Sequence, residues 1–178
     1  EGVLARRDAI RRVVVASSVV VYGDGVHRCP EHGPVPAPPR PAERLRARLW
    51  EPCCGECGRE LEPLPAREEQ ALRPASVYAV TKRDQEELAL VLGRAYGVEA
   101  VALRYHNVYG PRQQLGNPYT GVAAIFAARV LTGRPPLVFE DGGQLRDLVH
   151  VSDAVAASLA AMESPAAAGR ALNVATGM

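Results

Sequence analysis

The chain has 178 residues, 47% of them hydrophobic and 23% charged, which is typical of one globular domain and excludes a chain that is disordered throughout. Twenty-one basic and 20 acidic residues leave a net charge of +1, too small for a general attraction to nucleic acid or to an anionic membrane. No apolar run reaches the ~20 residues of a membrane span and the first residues do not resemble a secretory signal, so the sequence predicts a cytoplasmic protein with neither nucleic acid nor membrane as a partner.

The first predicted elements are the end of a helix and a buried strand. Residues 1–11 have the helical spacing of apolar side chains that is expected in the last turns of a helix. The β-branched run 12–18 predicts a strand buried on both faces. We expect this strand to continue through Val19–Val21 to a turn at residues 22–25.

The segment from residue 29 to residue 74 differs in composition from the rest of the chain. It contains 10 of the 15 prolines and all four cysteines. Because proline removes backbone donors and blocks helices, we expect little regular structure there beyond a short amphipathic helix over 41–50. We interpret 29–74 as an insert into an α/β framework formed by 1–28 and 75–178, and so long a loop needs something to hold it together.

Strands and helices alternate after the insert. Ser76 is the predicted N-cap of a helix over 77–96 that ends at Gly97. The later predictions are a strand over 98–104, a polar loop over 105–120, a helix over 121–132, strands over 137–139 and 148–151, a helix capped by Ser152 or Asp153 that runs to about 162, and a strand over 171–175. This order predicts a Rossmann-like, doubly wound parallel sheet. Since the framework begins within a helix and ends on a strand, we expect an internal part of a larger protein.

A tyrosine and the only lysine of the chain are four residues apart in the helix 77–96. The other 20 basic residues are arginines, so Lys82 marks a place where an ammonium is needed. Tyr78 and Lys82 share a helical face, and a cation beside a phenol stabilises the phenolate of a general base. Ser17 and Ser18 end the strand 12–18, where parallel sheets bind ligands. An ordinary exposed pair is the alternative interpretation.

Five segments of the chain are informative when taken together. They are VVVASSVVVYGDG at 13–25, SVYAVTKRDQEEL at 76–88, ALRYHNVYGPRQ at 102–113, LRDLVHVSDA at 145–154 and LNVATG at 172–177. In sequence and in order they resemble the NAD-dependent epimerase/dehydratase family, a group of extended short-chain dehydrogenases/reductases that act on nucleotide sugars. The resemblance implies NAD as the cofactor and a UDP- or dTDP-linked sugar as the substrate. It also implies a homodimer of the full-length parent, formed through the helix that carries Tyr78 and the helix before it.

The resemblance also implies roles for single residues around the cofactor. Ser18, Tyr78 and Lys82 match the catalytic serine, tyrosine and lysine of the family. Ser17, Tyr78, Lys82 and Tyr105 match cofactor contacts, with Lys82 on the nicotinamide ribose and Tyr105 near the nicotinamide.

Substrate contacts follow from the same resemblance. Ser18, Asn107 and Arg146 match residues that bind the nucleotide sugar, Asn107 at its phosphates and Arg146 at its diphosphate, a task suited to a guanidinium. Asp147 and Asp153 have a structural interpretation, and Arg104 and Arg112 a structural or solvated one. The arginines at 40, 44, 46 and 48 are interpreted as a solvated face.

The chemistry implied by the resemblance is a transient oxidation at C4 of the sugar, in which Tyr78 removes a proton and NAD takes up the hydride. Dehydratases and decarboxylases of the family usually carry an acid just after the serine, and some epimerases a cysteine, whereas this chain has Val19, Val20 and Val21. A 4-epimerase or a keto-sugar reductase fits best, with a dehydratase as a further alternative. Overall likeness favours a deoxysugar nucleotide such as dTDP-rhamnose.

The glycine-rich NAD-binding turn of the family should precede the strand 12–18, and no such motif occurs before Arg12. We therefore expect the adenosine half of the NAD site to lie outside this chain and the chain alone to be inactive. The alternative function is a truncated non-catalytic remnant, or a binding module stabilised by zinc.

The insert carries candidate metal ligands. Cys29-x₂-His32 and Cys54-x₂-Cys57 are separated by 21 residues, a spacing that suits a tetrahedral structural zinc. Cys53 is an alternative ligand and His27 a weaker one. Free thiols in a mobile loop, or a disulfide or redox pair, are the other interpretations, although a disulfide is less favoured without a secretory signal.

Overall fold

The computed structural model describes residues 2–114 and 121–177. In chain order its helices are α1 (Gly2–Ala5), α2 (Ala42–Arg46), α3 (Val77–Tyr96), α4 (Val122–Leu131) and α5 (Val151–Glu163). Its strands are β1 (Arg12–Ser18), β2 (Val26–Cys29), β3 (Gly33–Pro36), β4 (Glu62–Pro63), β5 (Glu99–Tyr105), β6 (Asn107–Tyr109), β7 (Leu148–His150) and β8 (Ala171–Val174). Short 3₁₀ turns lie at Arg7–Ala9, Val19–Tyr22 and Pro165–Ala167.

The main sheet has three parallel strands in the order β1-β5-β8. Its register pairs Ser18 with Tyr105 and Tyr105 with Val174, so the three carboxyl ends lie side by side. Arg104 contacts α3 and the next residue, Tyr105, contacts α5, so the two helices cover opposite faces of the sheet. This α/β arrangement confirms the predicted fold class.

The hydrophobic core lies between the main sheet and α5. Its buried members are Val101, Leu103, Val149, Ala161, Ala167 and Val174. On the other face, α3 approaches β5 closely at Gly93, where a Cβ atom would lie 2.7 Å from the carbonyl oxygen of Val98. Only glycine permits this approach, which brings α3 tightly onto β5.

The helix α3 begins and ends as predicted. The Ser76 hydroxyl accepts a hydrogen bond from the Ala79 N–H, and Gly97 has a left-handed conformation with φ of 71°. Among the described residues, no helix combines the length and the apolar character that crossing a bilayer requires.

The insert (residues 29–74) contains more regular structure than we expected. β2, which begins at Val26, pairs antiparallel with β3 on one side and β4 on the other. The prolines of this sheet occupy its edge strands, β3 and β4, where a missing N–H costs little. The predicted helix over 41–50 is shorter in the structure, since α2 covers only Ala42–Arg46.

Two predictions near the ends of strands are wrong. The expected continuation of the strand through Val19–Val21 is instead a 3₁₀ turn, because the Ser18 hydroxyl accepts from the Val20 N–H and the chain folds back to bury Tyr22. The helical end expected over 1–11 is divided into α1 and the turn Arg7–Ala9.

Three further predictions in the second half are corrected. Residues 137–139 form no strand, whereas β6 lies in the predicted polar loop and pairs with β7 in parallel. The part of that loop at 115–120 lies outside the described residues. The N-cap of α5 is His150, whose ring accepts from the Ser152 N–H, in place of Ser152 or Asp153.

Candidate active site

The helix α3 brings Lys82 against the end of β1, and Tyr78 lies one turn before Lys82 on the same helical face. The Lys82 ammonium donates to the carbonyl oxygen of Ala16 at 2.8 Å and to Oε1 of Gln85 at 3.1 Å. It lies 5.9 Å from the centre of the Tyr78 ring, and Tyr78 is 55% exposed. An ammonium has three N–H donors, so within the described residues one remains for a ligand.

Ser18 is the last residue of β1, two positions after the carbonyl that Lys82 contacts. Its hydroxyl oxygen accepts from the Val20 N–H at 3.4 Å, and its own O–H remains able to donate. Ser18 and Lys82 are therefore held at the same end of β1. A serine hydroxyl, an ammonium and an accessible phenol form a donor set suited to proton transfer with an alcohol.

A buried polar network (Ser17, Glu86, Arg104, Tyr22 and Asn173) lies beneath this edge. The Ser17 hydroxyl donates to Glu86 at 2.7 Å, and Nε of Arg104 donates to the same carboxylate oxygen at 3.0 Å. Nη1 of Arg104 donates to the Tyr22 hydroxyl at 2.6 Å, which donates to Asn173 at 2.8 Å. The network ties together α3, all three strands of the main sheet and the 3₁₀ turn after β1.

The charges of this network are deeply buried and matched. Glu86 is 2% and Arg104 5% exposed. Burial lowers the pKa of Arg104, but its hydrogen bonds to Glu86 and Tyr22 outweigh this and leave the pKa raised. Burial raises the pKa of the Tyr22 phenol, against the Arg104 guanidinium, which lowers it. The Arg104 guanidinium is therefore charged, and its contact with the Glu86 carboxylate holds α3 against β5.

Sequence reasoning missed most of this network. Glu86 follows Tyr78 by eight residues and Lys82 by four, so all three share a helical face, and that spacing was a usable signal. Of the two interpretations of Arg104, the structural one is observed, because a charge within a buried strand needs a partner. The Ser17 hydroxyl, predicted as a cofactor contact, donates to Glu86, and its role toward a cofactor stays a prediction.

The other predicted contacts lie near the same edge of the sheet. The Tyr105 hydroxyl forms a 2.7 Å hydrogen bond with Ser158 of α5. The Asn107 amide donates to the backbone oxygen of Asp147 at 3.2 Å, and Arg146 is exposed and contacts only the adjacent carbonyl among the described residues. Their ligand roles stay predictions. The structural interpretation of Asp147 is confirmed, since its carboxylate accepts from the backbone N–H of residue 176 at 3.1 Å.

The four predicted metal ligands meet within the insert. The ligand atoms of Cys29, His32, Cys54 and Cys57, called here the Cys/His cluster, all lie within 4.8 Å of one another. The Cys29 sulfur lies 3.5 Å from both the Cys57 sulfur and Nδ1 of His32, and the Cys54 sulfur lies 3.5 Å from the same nitrogen. The alternatives Cys53 and His27 are not in this group.

The thiols of the cluster differ in their electrostatic environment. Burial raises the pKa of Cys29, but hydrogen bonds from the backbone N–H groups of His32 and Glu31 lower it to about 6. For Cys57, the backbone N–H of Arg59 lowers the pKa, yet burial and the neighbouring sulfurs raise it to about 11. The backbone N–H groups thus favour the thiolate form at Cys29, whereas the neighbouring sulfurs disfavour it at Cys57.

Comparison with known proteins identifies the family of the chain. A family model, the NAD dependent epimerase/dehydratase family, matches residues 53–175, more than half of the chain. The chain belongs to this family. The family predicted from the five segments is therefore confirmed, and its members among curated proteins include nucleotide-sugar epimerases and dehydratases.

A curated relative with long coverage is the dTDP-L-rhamnose 4-epimerase of Burkholderia thailandensis. It is 33% identical over 156 residues, which are 85% of this chain and 41% of the relative. The chain spans between 32% and 41% of the length of this and two other curated relatives.

Solved structures show the same fold. The UDP-glucose 4-epimerase of Thermotoga maritima, solved with UDP-glucose, has a TM-score of 0.71 and 28% identity, with 98% of this chain and 44% of that chain covered. The UDP-glucose 4-epimerase of Thermus thermophilus, solved with NAD, has a TM-score of 0.61 and 30% identity, with 98% of this chain and 45% of that chain covered.

Proposed function

We propose that this chain supplies the catalytic residues of an NAD-dependent nucleotide-sugar 4-epimerase. The observation that carries the proposal is the hydrogen bond from Lys82 to Ala16, which holds Lys82, on the helix that also bears Tyr78, at the end of β1 where Ser18 lies. The buried network beneath them holds α3 to the sheet, so the backbone that carries the three side chains is rigid.

The residues have distinct tasks in this proposal. Tyr78 removes the proton of a sugar hydroxyl, because its phenol is exposed and lies beside the Lys82 cation, which stabilises a phenolate. Ser18 donates a hydrogen bond to the same sugar oxygen and orients it. The remaining N–H of Lys82 suits a ribose hydroxyl, so the donor set fits NAD, which when bound supplies the hydride acceptor and donor.

The substrate in this proposal is a nucleotide-diphosphate sugar. Arg146 offers an exposed guanidinium and Asn107 an amide near the same edge, which suits a diphosphate. The relative with 85% coverage acts on dTDP-L-rhamnose, so dTDP-deoxysugars are the first substrates to test and UDP-sugars the second. Val19–Val21 carry no acid, which favours an epimerase over a dehydratase; a keto-sugar reductase is the second candidate.

A homodimer is part of the proposal. α3 exposes large apolar side chains along its outer side: Val77, Val80, Leu88, Val91 and Tyr96. Apolar patches on a helix that already packs its other side on a sheet are typical of protein interfaces. We expect a second copy to cover this face.

The test is an NADH titration of the chain followed by a turnover assay. The fluorescence of bound nicotinamide reports binding, and circular dichroism reports whether the chain is folded. The folded chain is then incubated with NAD and with dTDP- or UDP-sugars, and epimers are resolved by NMR of the sugar protons.

The outcomes separate the candidate functions. Saturable binding and interconversion of C4 epimers support the epimerase, whereas net consumption of NADH by a keto sugar supports the reductase. A folded chain that binds no nicotinamide agrees with the expectation that the adenosine half of the NAD site lies outside it. The assays are then repeated on a form that carries a glycine-rich NAD-binding turn, and failure of that form to turn over favours the non-catalytic alternative.

A further inference from the structure

We infer that Cys29, His32, Cys54 and Cys57 bind one structural Zn²⁺ ion that holds the insert in its fold. The four ligand atoms come from two short turns that are distant in sequence and adjacent in space. The inference concerns the insert alone and is independent of the proposed epimerase function.

The geometry fits a tetrahedral ion. With Zn–S bonds of about 2.3 Å and Zn–N bonds of about 2.0 Å, neighbouring ligand atoms of a tetrahedron lie about 3.5–3.8 Å apart. In the cluster the Cys29–Cys57, Cys29–His32 and Cys54–His32 ligand atoms are each 3.5 Å apart. An ion at the centre therefore needs only small displacements of the four side chains.

The donor set selects the metal. Three sulfurs and one imidazole nitrogen are soft or borderline ligands, which favour zinc and disfavour magnesium or calcium. Four protein ligands fill a tetrahedral shell and leave no open position for a substrate, so the ion is structural and not catalytic.

The surroundings of His32 support a ligand role. Its Nδ1 faces the sulfurs, and its Nε2 lies 3.3 Å from a carboxylate oxygen of Glu56. A carboxylate on the far nitrogen of a histidine fixes the ring and its tautomer, a common arrangement around zinc. Glu56 comes from the turn between Cys54 and Cys57, so one turn supplies two ligands and the support for a third.

The insert needs such an ion because its own core is small. The buried residues of this core are Cys29, Cys54 and Leu61, with Val35 and Cys57 partly buried. One leucine and one valine bury too little apolar surface to order the insert, whereas a metal bound to four side chains contributes its binding free energy to folding.

Metal analysis of the purified chain tests the inference directly. We expect one zinc and no stoichiometric iron per chain by mass spectrometry, and a blue-green absorbance typical of tetrahedral cobalt–thiolate sites when Co²⁺ replaces zinc. Cys54→Ser and His32→Ala lose the metal, whereas the neighbours Cys53→Ser and His27→Ala retain it, because these residues lie outside the cluster.

Thiol counting covers the case in which the variants do not fold. In the wild-type chain we expect one thiol, that of Cys53, to react fast with a disulfide reagent, and four to react after a chelator is added. A metal-free preparation that stays folded and takes up no added zinc overturns the inference. So does a denatured, unreduced chain with two reactive thiols, because a disulfide then occupies the cluster.

Discussion

The main sheet and the insert are ordered in different ways. In the sheet, β1, β5 and β8 share a continuous ladder, a hydrophobic core and one buried ion pair. In the insert, short strands surround three cysteines, one histidine and a single buried leucine. The comparison shows two roles for polar side chains. At α3 they lie on a sheet and core that are already ordered, whereas in the insert the cysteines and the histidine themselves form the core.

The two regions meet along the segment that returns from the insert to α3. The backbone oxygen of Glu68 accepts from Arg104 at 3.0 Å, and the Glu68 carboxylate accepts from the backbone N–H of Asn173 at 2.7 Å. Arg73 donates its N–H to the carbonyl of Val21 at 2.9 Å. The insert therefore contacts the buried network but contributes no side chain to the proposed catalytic set of Ser18, Tyr78 and Lys82.

The largest expected effect is a loss of turnover without a loss of stability. Tyr78→Phe removes the proposed base and should lower epimerase turnover by about 10²–10⁴-fold. Because Tyr78 is exposed and the ring is retained, the midpoint of urea unfolding and the zinc content should not change. NMR of the sugar epimers measures turnover and equilibrium urea unfolding measures stability, both in a form of the protein that is active.

The control is Tyr96→Phe, which removes a phenol at the far end of the same helix. We expect it to retain full turnover. Retained turnover in Tyr78→Phe, or an equal loss in Tyr96→Phe, would show that the proposed base is wrongly assigned.

The second effect belongs to the main sheet. Arg104→Met leaves the Glu86 carboxylate buried without its partner and should lower the free energy of unfolding by about 3–5 kcal/mol. The double variant Glu86→Gln/Arg104→Met removes both charges and should be more stable than the sum of the single changes predicts. Urea unfolding of the four proteins of this cycle measures the coupling.

A useful reference is Arg83→Met, which breaks the exposed pair with Glu87 on the same helix. Screening by solvent should limit its cost to about 0–1 kcal/mol. If the Arg104 and Arg83 variants lose the same stability, the network does not anchor α3.

The parts of the fold that the sequence predicted are those governed by local rules. The bounds of α3 follow from the Ser76 cap and from Gly97, and β1 follows from its β-branched run. The turn at Val19–Tyr22 was not predictable from β-branched residues, because the Ser18 hydroxyl and the burial of Tyr22 decide it. β6 exists only through its distant partner β7.

The same distinction applies to the candidate site, where local motifs were visible in the sequence and contacts between distant segments were not. The spacing of Tyr78 and Lys82, and the two x₂ pairs of the cluster, were visible as motifs and the structure brings each set together. The partners of Glu86 were not visible, because Arg104 and Ser17 come from strands that only the folded sheet brings beside α3.

The third effect concerns the insert and follows from the inferred zinc. Removal of the metal should accelerate amide hydrogen exchange in residues 29–63 by at least about tenfold, since the ion closes this loop. The amides of β5 should change less, because its ladder and core do not involve the cluster. Equal acceleration in both regions would mean that insert and sheet open as one unit.

The smallest expected effect tests the contact between the two regions. Gly23 and Gly25 have φ of 65° and 75°, values that L-residues rarely adopt. Gly23 also has ψ of −131°, outside the left-handed helical region, so alanine is strained at both positions and more at Gly23. A Cβ at Gly23 would also clash with the carbonyl oxygen of Arg73, whereas a Cβ at Gly25 would meet no described atom within 4 Å. Gly23→Ala must therefore displace the returning segment and weaken the hydrogen bond from Arg73 to Val21, at a further cost of about 1 kcal/mol. Urea unfolding of the two variants measures the difference between them, which contains this cost and the larger backbone strain at Gly23. Equal losses of stability in the two variants would mean that the chain at Arg73 can move away at no cost. The contact at Arg73 would then not hold the insert to the sheet.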